Sequence, residues 1–166
     1  MNTKTTQSGS LTLKGTGVGP QYQSIPAPGA TIDFGKLAPG ANGVEDLLIS
    51  NVSTDAGNTA LTGLTLVQSG LTGSNFSLAN FSAGSILHKG DSFDLKIDFS
   101  SLTPGIEAGT LEIVTDQDAA FGGIGQIFEY SLTADVVAPA PEPASLGLVG
   151  SALAGLGIVL RRRRRG

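Results

Sequence analysis

Side chains that could perform catalysis or bind a metal are few and scattered in this sequence. The chain has a single histidine, His88, in a turn predicted at residues 86–90, and it has no cysteine. A catalytic triad and a His/Cys metal cluster both need partners that these residues cannot supply. No Gly-x-Ser-x-Gly nucleophile elbow occurs. The Gly-Gly-Ile-Gly run at residues 122–125 lacks the lysine and the strand-to-helix context of a phosphate-binding loop. The sequence therefore predicts no catalytic residue, no cofactor and no enzyme activity.

Carboxylates near a polar, glycine-rich loop at residues 116–125 are the remaining candidates for metal binding. Asp116 and Asp118, with Glu112 nearby, could offer oxygen ligands to Ca²⁺. The full pattern of a calcium-binding loop is missing, so we interpret them as solvated loop carboxylates and predict no metal site. The same loop is the candidate contact surface if the domain binds glycans or proteins.

The charge distribution excludes nucleic acid as a partner. The net charge is −4, and five of the ten basic residues form a run at the C-terminal end. The rest of the chain sets five lysines against fourteen acidic residues. An acidic domain repels a phosphate backbone.

The C-terminal stretch, residues 139–166, has three parts, each with a separate physical role. Prolines 139, 141 and 143 predict an extended, solvated hinge over residues 139–143. Residues 144–160 carry no charge and would form a helix about 25 Å long, near the lower limit for a membrane span. The basic cluster comprises Arg161, Arg162, Arg163, Arg164 and Arg165. Arginines can snorkel to the interface and remain on the cytoplasmic side. We therefore predict one C-terminal transmembrane helix, with the preceding domain outside the cytoplasm.

Small residues recur every four positions within this apolar segment. Gly147, Ser151 and Gly155 would lie on one helix face, where another helix could approach closely. The alternative is a short span that is simply rich in glycine and alanine. The sequence leaves both interpretations open.

The order Pro141-Glu142-Pro143, apolar segment and arginine cluster resembles the PEP-CTERM sorting signal of exported bacterial proteins. The resemblance implies processing by an exosortase, a membrane-embedded cysteine protease. It further implies cleavage at or near Pro141-Glu142-Pro143, with delivery to the cell surface or an exopolysaccharide matrix outside the cell. The alternative is a glycan- or protein-binding adhesin module held by a plain C-terminal anchor.

Residues 21–138 show the pattern of an all-β domain. In residues 91–100, Phe93, Leu95, Ile97 and Phe99 alternate with polar side chains, which indicates a strand with one buried face. Further strands are predicted at residues 31–35, 44–51, 61–68, 75–78, 109–115 and 127–136. We predict an Ig-like antiparallel β-sandwich of about seven or eight strands. Over residues 30–137 these motifs resemble the choice-of-anchor D family, related to the ASPM/SPD-2/Hydin type of domain. That resemblance implies a module with an unassigned binding role.

The N-terminal residues 1–20 allow two interpretations. Residues 11–20 align without gaps with residues 130–139, and both segments end in proline. Residues 1–20 would then be the last strand of a preceding repeat, in a longer protein whose signal peptide lies upstream, since residues 1–10 contain no apolar signal region. Alternatively, residues 10–17 are the first strand of this domain. Residues 21–29 are predicted to be a linker.

Overall fold

A computed structural model describes residues 11–14, 17–54, 59–120 and 122–138. Over these ranges the chain forms nine strands and one helix of a single turn. They are β1 (Tyr22–Ile25), β2 (Thr31–Leu37), β3 (Asn42–Asn51), α1 (Thr59–Thr62), β4 (Leu64–Leu71), β5 (Phe76–Leu78), β6 (Ser85–Leu87), β7 (Ser92–Ser100), β8 (Gly105–Thr115) and β9 (Ile127–Val136). The all-β prediction is confirmed for this part of the chain.

The strands form two sheets. One has four strands in the order β1-β3-β7-β5, and the other has five in the order β2-β9-β8-β4-β6. Neighbouring strands run antiparallel except β2 and β9, which pair in parallel, with Thr31 opposite Ser131. The predicted sandwich of seven or eight antiparallel strands is therefore corrected to nine strands that include one parallel pair.

The core lies between the two sheets and follows the alternation in the sequence. On β7, Leu95, Ile97 and Phe99 are buried, and Phe93 is half-buried at the edge of the core. The rings of Phe34 and Phe99, one from each sheet, have centroids 5.6 Å apart. A contiguous apolar cluster of this kind supplies the main favourable free energy of folding.

The first strand is β1, although its residues were predicted to belong to a linker. Tyr22 stacks on Phe128 of the opposite sheet, with ring centroids 3.9 Å apart, and β1 pairs with β3. The strand predicted at residues 10–17 is absent from the described residues 11–14 and 17–20, where Leu11 is 83% exposed. Packing of one aromatic ring and pairing with β3 outweigh the prolines that follow β1. The preceding-repeat hypothesis stays a prediction.

Two short elements escaped prediction. Residues 86–90 were expected to form a turn, but β6 pairs with β4 before the chain turns at residues 88–91. Helix α1 was also unexpected, because one turn is too short to show a helical period. No helix in the described part of the chain is long and apolar enough for a membrane span. The predicted helix at residues 144–160 lies outside the described residues.

Candidate functional site

The predicted tail starts directly after β9, and hydrogen bonds to neighbouring strands hold the end of β9 in place. β9 lies inside the five-stranded sheet, between β2 and β8. Val136 at its end is buried, and the amide of Val137 donates to the carbonyl oxygen of Leu37 at 2.8 Å. The hinge residues 139–143 therefore begin within two residues of the last interstrand hydrogen bond. All the predicted tail residues, including Pro141-Glu142-Pro143, the arginine cluster and the Gly147, Ser151 and Gly155 stripe, lie outside the described residues.

The loop at residues 116–125 lies at the opposite end of the sandwich, and its first carboxylate is structural. Asp116 is 1% exposed. Its Oδ1 accepts the amide of Thr65 at 2.8 Å, and its Oδ2 accepts the amide of Gly122 at 3.0 Å. The interpretation of Asp116 as a solvated loop residue was wrong. A buried carboxylate needs such hydrogen bonds to offset its lost hydration, and here they join the loop to β4.

The other two carboxylates do not converge on Asp116. Asp118 is exposed and accepts a hydrogen bond from the side chain of Gln126. Glu112 lies within β8, opposite Glu129 of β9. In the part of the chain that the structure describes, no three His, Cys, Asp or Glu side chains are grouped so that they could hold a metal ion.

The glycines at residues 122–125 close the loop. A Cβ added to Gly125 would lie 2.0 Å from the carbonyl oxygen of Gln117, so the backbones approach too closely for any side chain. The amide of Gly125 donates to Thr115 O at 2.8 Å, and the amide of Gly122 is taken by Asp116. These amides are thus used within the loop. His88 lies in an exposed turn as expected, where its amide donates to Asp91 Oδ2 at 3.1 Å.

A buried asparagine, missed by the sequence analysis, organises the chain next to this loop. Asn51 is 0% exposed. Its Nδ2 donates to the carbonyl oxygens of Thr62 (2.6 Å) and Leu87 (2.9 Å), and its Oδ1 accepts the amide of Ser53 at 3.1 Å. Ser53 Oγ donates to the same Oδ1 at 2.5 Å and accepts the amide of Gln21 at 3.1 Å. The side chain therefore fastens the end of β3 to α1, to β6 and to the segment before β1.

A groove of about 290 Å³ lies beside this network. Its walls come from three segments, namely residues 18–20, residues 61 and 63, and residues 116 and 118–120. Among the described residues that line it, none is aromatic. This groove lies on the loop that was predicted as the candidate contact surface.

A chain of three hydroxyl groups joins the two sheets. Ser24 Oγ donates to the carbonyl oxygen of Pro26 at 2.8 Å, so it must accept from the Tyr130 hydroxyl, 2.5 Å away. Tyr130 in turn accepts from the Tyr22 hydroxyl at 2.7 Å, because each hydroxyl has one proton to donate. Burial raises the pKa of Tyr130. The pKa of Tyr22 is also raised, mainly by burial and to a smaller extent by its hydrogen bond to Tyr130. Both hydroxyls therefore remain protonated and serve as structural donors.

Comparison with solved structures shows a likeness of fold. The chain resembles part of the VesB protease of Vibrio cholerae at 12% identity and a TM-score of 0.50, over 70% of this chain and 32% of VesB. It also matches the secreted serine protease VesC of Vibrio cholerae, at 17% identity and a TM-score of 0.48, over 75% of this chain and 24% of VesC. The ASH/PapD-like domain 7 of human CEP192 matches at 10% identity and a TM-score of 0.46, over 81% of this chain and 98% of that domain. The chain spans only 32% and 24% of the two proteases, and such low identities concern the fold alone.

The tail gives the informative comparison. No curated protein matches the chain. Residues 139–165, directly after the described end of the domain, match the PEP-CTERM protein-sorting motif. The chain thus carries the C-terminal signal of an exported, membrane-anchored protein that an exosortase processes.

Proposed function

We propose that this is a non-enzymatic exported bacterial protein whose β-sandwich is displayed outside the cytoplasm. Residues 144–160 hold it in the inner membrane until an exosortase cuts near Pro141-Glu142-Pro143. The domain then passes to the cell surface or the extracellular matrix. The observation that carries this proposal is the sorting-motif match at residues 139–165.

The geometry around β9 suits this role. The hinge follows a strand with partners on both sides, so an extended peptide can be presented to a protease while the domain stays folded. The arginine cluster fixes the orientation, because positive flanking residues remain in the cytoplasm. The sandwich itself is proposed to be an Ig-like module of the choice-of-anchor D type.

The side chains of the domain support a structural or binding role. Within the described ranges, His88 is exposed in a turn. Asp116 is committed to two backbone amides, and the Tyr22 and Tyr130 hydroxyls donate within a closed chain. The proposal therefore assigns no nucleophile–base pair to these described side chains.

Mass spectrometry of the protein made by exosortase-containing cells tests the proposal. We expect the exported species to end near residues 141–143 and to lack residues 161–165. Replacing Pro141, Glu142 and Pro143 by alanine should leave an unprocessed precursor in the membrane fraction. As a matched control, alanine at Ser8, Ser10 and Gln7, far from the tail in sequence, should leave processing unchanged. An exported species that retains its arginine cluster would contradict the proposal and favour a plain anchor.

A glycan-binding adhesin module is a second candidate, and the observation in its favour is the groove of about 290 Å³ beside residues 116–120. A glycan array probed with the full chain in detergent tests it. If the groove binds a glycan, Ala119→Tyr should abolish the signal, because Ala119 lines the groove. Ala108→Tyr, at an exposed position on β8, should leave it intact. Equal signals from both variants, or an array without signal, would exclude the groove as a glycan site.

A further inference from the structure

The end of the sandwich from which the tail leaves, here called the exit end, is free of charged residues in its connections. Three connections meet there, joining β2 to β3, β4 to β5 and β7 to β8. They are residues 38–41, 72–75 and 101–104, and none contains Asp, Glu, Lys or Arg. In a domain with so many acidic residues this composition is unusual.

Backbone hydrogen bonds place these connections together. They are Gly40 N to Ser101 O (2.8 Å), Ser100 N to Asn75 O (3.0 Å) and Val137 N to Leu37 O (2.8 Å). The last of these bonds lies where the chain leaves β9. The uncharged connections and the start of the tail are thus one surface.

This surface exposes large apolar side chains. Leu102 in the β7–β8 connection is 80% exposed, and Ile106 at the start of β8 is 81% exposed. Val137, at the exit itself, is 44% exposed. Single exposed apolar residues need no explanation, but several of them beside uncharged connections mark an interaction surface.

Charged side chains border the uncharged connections. Asp135 lies opposite Ile106 and forms an exposed pair with Lys36 at 4.0 Å, one step from the end of their strands. Glu107 is half-buried, and its Oε1 accepts from Ser101 Oγ at 3.3 Å.

The opposite end has a different character. It also exposes apolar side chains, among them Leu61 (54% exposed), Ile124 (67%) and Ile127 (54%). There, however, Lys89, Asp91 and Asp118 lie in the connections. The two ends of the domain therefore differ in charge, which gives the domain a polarity along its strands.

The length of the tether decides which partner the exit end can reach. Five residues, 139–143, separate Ala138 from the apolar segment that begins at Ala144. Fully extended, this connection spans at most about 20 Å. The opposite end lies further away by the length of β9, about 30 Å for a strand of this size. The exit end is thus the part of the domain that is held next to the bilayer.

We propose that the exit end docks on the lipid interface of the membrane that anchors the tail, with Leu102 and Ile106 at the boundary of headgroups and acyl chains. This inference rests on the proposed membrane-anchored function. Apolar side chains gain by leaving water at that boundary, and the uncharged connections lose no ion hydration there. Acidic groups at the opposite end are kept away from anionic lipids. Docking holds the hinge at the membrane surface, where a membrane-embedded protease acts.

Single-tryptophan variants test this, because the natural chain has no tryptophan. Leu102→Trp and Ile106→Trp report on the exit end, and Ile124→Trp is the control at the opposite end. Each full-length variant is reconstituted into vesicles of zwitterionic and anionic lipids, with and without brominated acyl chains. Lipid-borne bromine reaches tryptophan in either orientation of the chain. We expect the two exit-end variants to emit at shorter wavelength than the control and to lose intensity with brominated lipid.

Flotation of the vesicles distinguishes a failure of membrane anchoring from a failure of docking. Protein that does not float with the vesicles contradicts membrane anchoring itself. Protein that floats, but whose exit-end tryptophans emit and respond to bromine as the control does, overturns docking alone. Using two exit-end positions guards against a local effect of either substitution.

Discussion

Raising the pH above the pKa of unfolded tyrosine should unfold the sandwich. Tyr22 and Tyr130 keep their hydroxyl protons in the folded domain because burial raises the pKa of both. In the unfolded chain both hydroxyls titrate near about pH 10. Their stabilising contribution is therefore fully present below about pH 10 and is lost as the pH rises toward the native pKa values.

The size of the effect follows from the number of protons involved. Above about pH 10 the unfolded chain has released up to two protons that the folded domain retains, so the free energy of unfolding falls by up to about 2.7 kcal/mol per pH unit. A domain stable by about 5 kcal/mol would reach its midpoint at least about two pH units higher. The Lys96–Asp46 ion pair, which raises the pKa of Lys96, weakens in the same direction. Its side chains are 49% and 55% exposed, so its contribution is small.

The assay compares tyrosinate absorbance with the circular dichroism of the sheets during an alkaline titration. The chain has two tyrosines and no tryptophan, so the absorbance reports on these two residues alone. We expect tyrosinate to appear together with the loss of the sheet signal. Tyr22→Phe keeps the ring that stacks on Phe128 and should lower the slope by about 1.4 kcal/mol per pH unit. Tyrosinate formed near about pH 10 while the sheets remain intact would refute this account of the hydroxyl chain.

Three substitutions test the network at the opposite end, each by chemical denaturation. Asn51→Ala should cost about 2–4 kcal/mol because it removes the donor that two buried carbonyl oxygens share. Asn80→Ala removes two backbone contacts at an exposed site and should cost about 1 kcal/mol. Asp116→Asn should cost about 1–3 kcal/mol, since its amide group turns a donor toward a backbone amide that needs an acceptor. Gly125→Ala should cost more than about 2 kcal/mol, and Gly19→Ala, with nothing within 4 Å of the new Cβ, should change stability by less than about 0.5 kcal/mol. Equal losses within either matched pair would contradict the roles assigned to Asn51 and Gly125.

Local alternation was enough to locate the long strands. β9 was predicted at residues 127–136 and has those bounds. Leu95 and Ile97 of β7 were predicted to share one buried face and are fully buried. In these strands every second side chain enters the core, so burial has a period that the sequence displays directly.

Strand partners were harder to predict because they are chosen over long distances. The parallel pairing of β2 with β9 joins Thr31 to Ser131, and nothing near either residue indicates it. β1 was missed for the same reason: its Tyr22 stacks on Phe128 and bonds to Tyr130, 108 positions away. The nearby prolines favoured a linker, and no local pattern indicated the strand.

The buried polar residues show the same limit. Asp116 has the sequence surroundings of a solvated loop carboxylate, yet its first partner is the amide of Thr65, 51 positions away. Asn51 stands at the end of a strand, where an asparagine usually indicates a turn, but it bonds to three other segments. A polar side chain becomes structural when distant backbone groups converge on it. The sorting tail was recognisable from sequence because its parts are adjacent along the chain.

The position of β9 determines how the domain responds to a force on its tail. A pull on the tail acts along β9, which is hydrogen-bonded to β8 over its full length and to β2 on its other side. Such a force shears both ladders at once, so many interstrand bonds share it, whereas a strand at the sheet edge would share it with one partner. The last bond, from Val137 to Leu37, is the first to open, and the buried Val136 lies directly behind it. A protease that pulls on the hinge would therefore open this bond first, which lengthens the accessible peptide by a residue or two before the core is disturbed. A cleavage signal placed directly after an interior strand can thus be engaged at close range without unfolding the domain that it delivers.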